Sequence, residues 1–85
     1  MKLKLYGVES DPLTIKATEF LRNNKLKFEF VKLQISQPKV IEDLHGRSGK
    51  IGVPQLCMIA DDNSESFILG FKEEEYKVLL KNDIL

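Results

Sequence analysis

Gly52-Val53-Pro54-Gln55-Leu56-Cys57-Met58-Ile59-Ala60 is the stretch that decides the fold. A proline stands directly before a short apolar run. Proline has no amide hydrogen, so it cannot sit mid-ladder in a central strand. It fits the first position of a strand, or a tight turn as a cis peptide. The run therefore reads as a strand over 55–60, and the Val53–Pro54 bond is expected to be cis. Such a bond is expected to turn the Val53 backbone outward, where its N–H and C=O can receive an extended peptide as a short added strand.

The chain on either side supplies the partners for this strand. Lys2 to Gly7 alternates, with Leu3 and Leu5 on one face and Lys2, Lys4 and Tyr6 on the other. That is a strand closed by glycine. Asp11 is a good N-cap and Pro12 fits a first helical turn, so a helix runs over about 12–24, with Leu13, Ala17, Phe20, Leu21 and Asn24 at helical spacing. Leu26 to Leu33 alternates again, a second strand. Ser36 and Pro38 open a second helix, striped by Val40, Ile41 and Leu44, and Gly46 can close it. A loop over 46–52 leads back to Pro54.

Beyond the central strand, Asp61-Asp62-Asn63-Ser64-Glu65 is a turn and Ser66 to Leu69 a fourth strand ended by Gly70. Phe71 to Leu80 is a last helix, supported by a Glu73–Lys77 pair. The first two strands, joined through a helix, should be parallel with a right-handed crossover. The last two strands should form an antiparallel hairpin. The expected fold class is α/β: β-α-β-α-β-β-α, a four-stranded mixed sheet with helices on both faces, in one domain over residues 1–85.

Composition narrows the function. Lys plus Arg and Asp plus Glu number 13 each, so the chain lacks the basic excess of a nucleic-acid or membrane-surface protein. Hydrophobic residues make up 42%, enough for one small core. No apolar run approaches the roughly 18–20 residues of a bilayer span. The alternating N-terminus does not read as a signal peptide. A single cysteine forbids an internal disulfide and points to a reducing, cytoplasmic compartment.

The individual reactive residues read structurally. Cys57, inside a strand covered on both faces, reads as a buried core thiol. His45 lies near a helix end, where it favours the dipole, and lacks a second ligand at metal spacing. Gly49-Lys50 lacks the spacing of a phosphate loop, and a strand rather than a helix follows. Arg47 and Lys50 read as a solvated loop, with an anion or acidic partner as the alternative. The Asp61–Glu65 cluster lacks the spacing and glycine of a calcium loop.

In this arrangement the chain resembles a glutaredoxin over nearly its whole length. That family begins its first helix with Cys-Pro-Tyr-Cys, where this chain reads Asp11-Pro12-Leu13-Thr14. Its Thr-Val-Pro-Gln is matched by Gly52-Val53-Pro54-Gln55. Its Gly-Gly followed by acidic residues corresponds to Leu69-Gly70-Phe71-Lys72-Glu73, with Leu69 in place of the first glycine. The resemblance implies a thioredoxin-like fold and places Asp11 where the nucleophilic thiol stands. Disulfide exchange needs a thiolate, which Asp11 and Thr14 cannot supply. Val8 stands where many members have a lysine near the glutathione carboxylate, and Lys72 takes the first acidic position. The cysteine-free, glutaredoxin-like small proteins that bind Src-homology-3 domains are similar in carrying the scaffold without redox chemistry. Glutathione transferases share this fold and use a Ser or Tyr near the end of the first strand, which puts Tyr6 and Ser10 forward as alternative activators. Their Glu-Ser pair after the fourth strand is Gly70-Phe71 here, and they need a second, helical domain beyond these 85 residues.

The expectation is a non-catalytic protein-binding module, with no catalytic or metal-ligating residues. Its groove is formed by Asp11, Pro12, Leu13, Thr14, Val53, Pro54, Gly70 and Phe71, and Phe71, if exposed beside the groove, would be an aromatic anchor. A protein partner is expected, with a homodimer left open, and no nucleic acid or membrane. No cofactor is expected. The alternative is a glutathione-binding, transferase-like or redox enzyme with a degenerate site.

Overall fold

A computed structural model describes residues 1–84, with side chains over 1–80. The elements in order are β1 (Lys2–Gly7), α1 (Pro12–Asn23), β2 (Glu29–Lys32), α2 (Pro38–Ser48), β3 (Gln55–Ile59), β4 (Glu65–Leu69) and α3 (Glu73–Ile84). The four strands form one mixed sheet in the order β2-β1-β3-β4. β1 pairs parallel with β2, while β1–β3 and β3–β4 are antiparallel.

The alternation along each strand divides the core in two. Leu3, Leu5 and Leu56 join Ala17, Phe20 and Leu21 of α1 and Tyr76 and Leu79 of α3 on one face. Tyr6 and Cys57 join Leu33, just beyond β2, and Leu44 of α2 on the other. Helices thus cover both faces of the α/β sheet, as the periodicity requires.

Element boundaries depart from the sequence reading where a cap competes with the pattern. β2 begins at Glu29, not Leu26. Lys25 adopts left-handed φ 57 and its N–H donates to Arg22 C=O (3.0 Å), while Leu26 N–H donates to Leu21 C=O (2.9 Å). This double closure of α1 uses Leu26 as the apolar residue after the cap, before any strand begins. α2 passes through Gly46 and ends at Ser48, with Gly49 (φ 68) as its left-handed cap. Its N-cap is Gln37, with no side-chain hydrogen bond, rather than Ser36. β4 gains Glu65, which pairs with Ile59. α3 starts two residues later than expected, at Glu73. Lys72 lies 4.0 Å from Glu75, and no Glu73–Lys77 ion pair forms among the described residues. Leu13 is exposed and Thr14 takes its place on the buried stripe of α1.

Candidate functional site

The strand register brings three separated segments to one end of the sheet. Tyr6 lies opposite Gln55, and Gln55 opposite Leu69. The continuation of β1 into the Asp11 cap, the Gly52–Pro54 approach to β3 and the Leu69-Gly70 exit of β4 therefore share that end.

Asp11 caps α1 with one oxygen. Its Oδ2 accepts from the Thr14 N–H (2.9 Å) and from Thr14 Oγ1 (3.0 Å). Thr14 is buried beneath it. A Cβ on Gly7 would lie 2.6 Å from Thr14 Cγ2, so β1 and α1 can meet this closely only at glycine. The carboxylate is thus engaged in local structure, with Pro12 and Leu13 exposed beside it.

The Val53–Pro54 peptide bond is cis. Pro54 is fully buried and its C=O accepts from the Gly70 N–H (2.7 Å). Gly70 holds φ 77, a left-handed turn that glycine adopts without strain. Its C=O in turn accepts from the Tyr76 hydroxyl (3.2 Å), tying α3 to this end. Among the described residues, the Val53 N–H and C=O have no hydrogen-bond partner within the chain. The Val53 side chain packs on the α2 face of the core.

Phe71 is half-buried, so the exposure on which an anchor role depends is not met. Its ring turns onto the α1/α3 face, with its centroid 5.8 Å from Phe20 and 4.8 Å from Tyr76. An aromatic side chain one residue beyond the turn gains more by completing this cluster than by standing in water.

Three residues matter more than the sequence reading gave them credit for. Gln55 is fully buried, and its Nε2 donates to the carbonyls of Lys50 and Gly52, both at 3.1 Å. Its Oε1 has no partner among the described residues. Lys50 Nζ donates to the Phe67 C=O at 2.7 Å. Arg47, expected in a solvated loop, belongs to α2 and donates to Asp43 (2.9 Å), Glu65 (2.8 Å) and the Tyr6 hydroxyl oxygen (2.8 Å). Its guanidinium also lies over the rings of Tyr6 and Phe67. The Tyr6 hydroxyl, followed by desolvation acting against it and then the Asp43 hydrogen bond, leaves the guanidinium more firmly protonated than usual. No local motif announces the contacts of Arg47 with Tyr6 and Glu65 or of Lys50 with Phe67, since these partners lie on other elements.

Cys57 is buried, as a mid-strand thiol on a covered face should be. Burial, and then the nearby Glu65 charge, push its thiol up to about 11. His45 lies in the last turn of α2, as its dipole role requires. Tyr6, the possible activator of a glutathione thiol, has its hydroxyl bound to Arg47 on the α2 side. Ser10 is exposed. Among the described residues, no group of three His, Cys, Asp or Glu side chains could hold a metal ion, and no helix is long and apolar enough to cross a membrane.

No family model and no curated protein matches the sequence. Solved structures do match. The chain is similar to a glutaredoxin from Archaeoglobus fulgidus at 28% identity and a TM-score of 0.72, over 93% of this chain and 85% of that one. It is also similar to a glutaredoxin from Methanosarcina mazei Go1, at 22% identity and a TM-score of 0.69, over 93% and 77% of the two chains. The architecture is a glutaredoxin-like thioredoxin fold.

Proposed function

We propose that this chain is a non-catalytic protein-binding module of the cytoplasm, working through the end of the sheet that carries Asp11 and the Val53–Pro54 turn. One observation carries the reading. Among the described residues, five of the eight exposed large hydrophobic side chains (Val8, Leu13, Ile35, Ile51 and Leu69) belong to segments that meet at this end. Apolar side chains gathered around free backbone groups suit a protein partner better than a small charged ligand. The capping position holds Asp11, committed to Thr14, and the single thiol lies buried in β3. A thiol with a raised pKa in a buried strand is a poor nucleophile.

The test is a peptide-display selection on the immobilised chain, with a Leu13→Asp/Leu69→Asp variant as counter-selection. Both side chains are exposed, so the variant should keep its circular dichroism. Binders should be lost on the variant, should shift the Val53 and Gly70 amides, and should coexist with no turnover of a glutathione mixed disulfide. The second reading is a degenerate glutathione enzyme. Saturable glutathione shifts at Val53 and Gly70 at or below millimolar ligand, or reductase turnover above background, would favour it.

A further inference from the structure

The β4 edge has a definite polarity. Two hydrogen bonds at its ends set the phase: Ala60 N–H donates to Ser64 C=O (2.9 Å), and Gly70 N–H to Pro54 C=O (2.7 Å). Even-numbered residues therefore turn their backbone groups toward β3. In an antiparallel ladder the N–H and C=O of one residue point to the same side, and successive residues alternate. Glu65, Phe67 and Leu69 accordingly present theirs outward. The position of Lys50 agrees, since its Nζ reaches the Phe67 C=O from outside the sheet. β4 is the last strand in the order, so among the described residues no strand pairs with this row, and Lys50 alone reaches it.

Such an edge is a template for an added strand, and lysine is a common guard against unwanted pairing. Here the guard is a movable one. Lys50 is exposed and follows the left-handed cap of α2. Beside it stands Ile51, 81% exposed, and then Gly52, where a Cβ would touch Leu69 Cδ1 at 3.3 Å. Residues 50–52 therefore lie beside Phe67 and Leu69 of β4, where Lys50 supplies one cation, Ile51 one exposed apolar side chain and Leu69 of the strand itself a second. Arg47 cannot serve as a second free cation, since Asp43, Glu65 and Tyr6 hold it.

We infer that β4 is a strand-docking edge for an extended partner segment with an acidic residue opposite Phe67 and an apolar residue two positions away, beside Leu69 and Ile51. The inference rests on the binding-module reading and gives the partner its chemistry. The incoming strand takes the outward groups of Glu65, Phe67 and Leu69. Lys50 leaves the Phe67 C=O and pairs with the partner's carboxylate, so an acidic segment is rewarded for displacing it. A basic segment brings two like charges together.

The probe is the capped heptapeptide Ser-Val-Thr-Glu-Thr-Val-Ser, titrated into the nitrogen-15-labelled chain. The amides of Glu65, Phe67 and Leu69 should shift and their hydrogen exchange should slow. A central glutamine should weaken binding about two- to fivefold, as suits a solvent-facing ion pair, and a central lysine should weaken it further. In Lys50→Glu the order should invert, with the lysine-centred peptide binding best. Equal binding of the three peptides, or an unchanged order in Lys50→Glu, would overturn the inference. So would shifts confined to Val53 and Gly70, although these would leave the binding module standing. Concentration-dependent shifts of the β4 amides without peptide would make a second copy of the chain the occupant and would also overturn it. No binding at either place would remove both readings.

Discussion

The two faces of the sheet are held by different physics. On the α1/α3 face, eight buried side chains, Phe20 and Tyr76 among them, pack together with the half-buried Phe71 ring. On the α2 face the buried hydrophobic cluster among the described residues is Tyr6, Leu33, Leu44 and Cys57, and one helix covers it. What the second face lacks in apolar volume it makes up with a polar hub, since Arg47 links α2 to β1 through Tyr6 and to β4 through Glu65. Apolar burial is non-directional and tolerates adjustment. The hub depends on geometry, and it sits next to the 50–54 segment that forms one wall of the candidate site. The better-packed face therefore anchors the domain, while the thinner face shapes the end of the sheet that carries the candidate site.

This difference sets the scale of mutational effects. Tyr76→Ala empties a fully buried aromatic position, leaves Phe20 and Phe71 without their edge contacts and frees the Gly70 C=O. It should cost about 3–5 kcal/mol in urea unfolding. Arg47→Met keeps the aliphatic stem over Tyr6 and Phe67 and removes the charge. Its side chain is partly exposed, so the ion pairs are screened, and the loss should be about 1 kcal/mol. If the Arg47 variant proved as damaging as the Tyr76 variant, the hub and not burial would dominate the stability of the domain.

The thiol of the α2 face gives a smaller and pH-dependent effect. Burial raises Cys57 from its ordinary 9.0 to about 11, with Glu65 adding to the rise and Arg47 opposing it. The unfolded chain gives up this proton near the ordinary value, and the folded chain keeps it to about 11. The stabilisation from a neutral buried thiol is thus complete below about pH 9 and is lost as the pH climbs to 11. Burial also raises Tyr76, whose contribution declines only above the ordinary tyrosine range. Cys57→Ala should therefore have a flatter stability curve than the parent between pH 9 and 11, measured by urea titration at each pH. Parallel curves would mean that Cys57 does not titrate on unfolding.

The same contrast explains what could be read in advance. Asp11-Pro12 at the start of α1, the glycine after β4 and the alternation of β1 are local signals, and each stands where the pattern put it. The end of α1 was obscured because a lysine, not a glycine, takes the left-handed position, so Leu26 looked like the start of a strand. Gly46 and Gly49 are equivalent as stop signals, and only the folded helix distinguishes them. The site was legible where one segment makes it, as at Asp11. It was illegible where it depends on distant pairs: Arg47 meets a residue 18 positions away and another 41 away, and Lys50 reaches a carbonyl 17 away. The exposure of Phe71 is illegible for the same reason, since it depends on Phe20 and Tyr76.

The smallest effect bears most directly on whether the two faces open together. Gly46 lies inside α2, is exposed, and has nothing within 4 Å of where a Cβ would stand. It is not among the residues with positive φ, so an L side chain fits its backbone. Gly46→Ala should stabilise the helix by about 0.5–1 kcal/mol, because alanine loses less backbone freedom on folding. Where that gain registers is the informative part. If the sheet and both helical layers unfold as one unit, amide exchange of Leu21 in α1 and of Leu44 in α2 should slow by the same factor. If α2 opens on its own over its thin core, the gain should slow exchange at Leu44 and leave Leu21 almost unchanged. The sparse burial and the hub-like attachment of α2 predict the second pattern. Equal protection at both residues would show that the Arg47 contacts couple α2 to the rest of the domain as tightly as apolar packing couples α1 and α3.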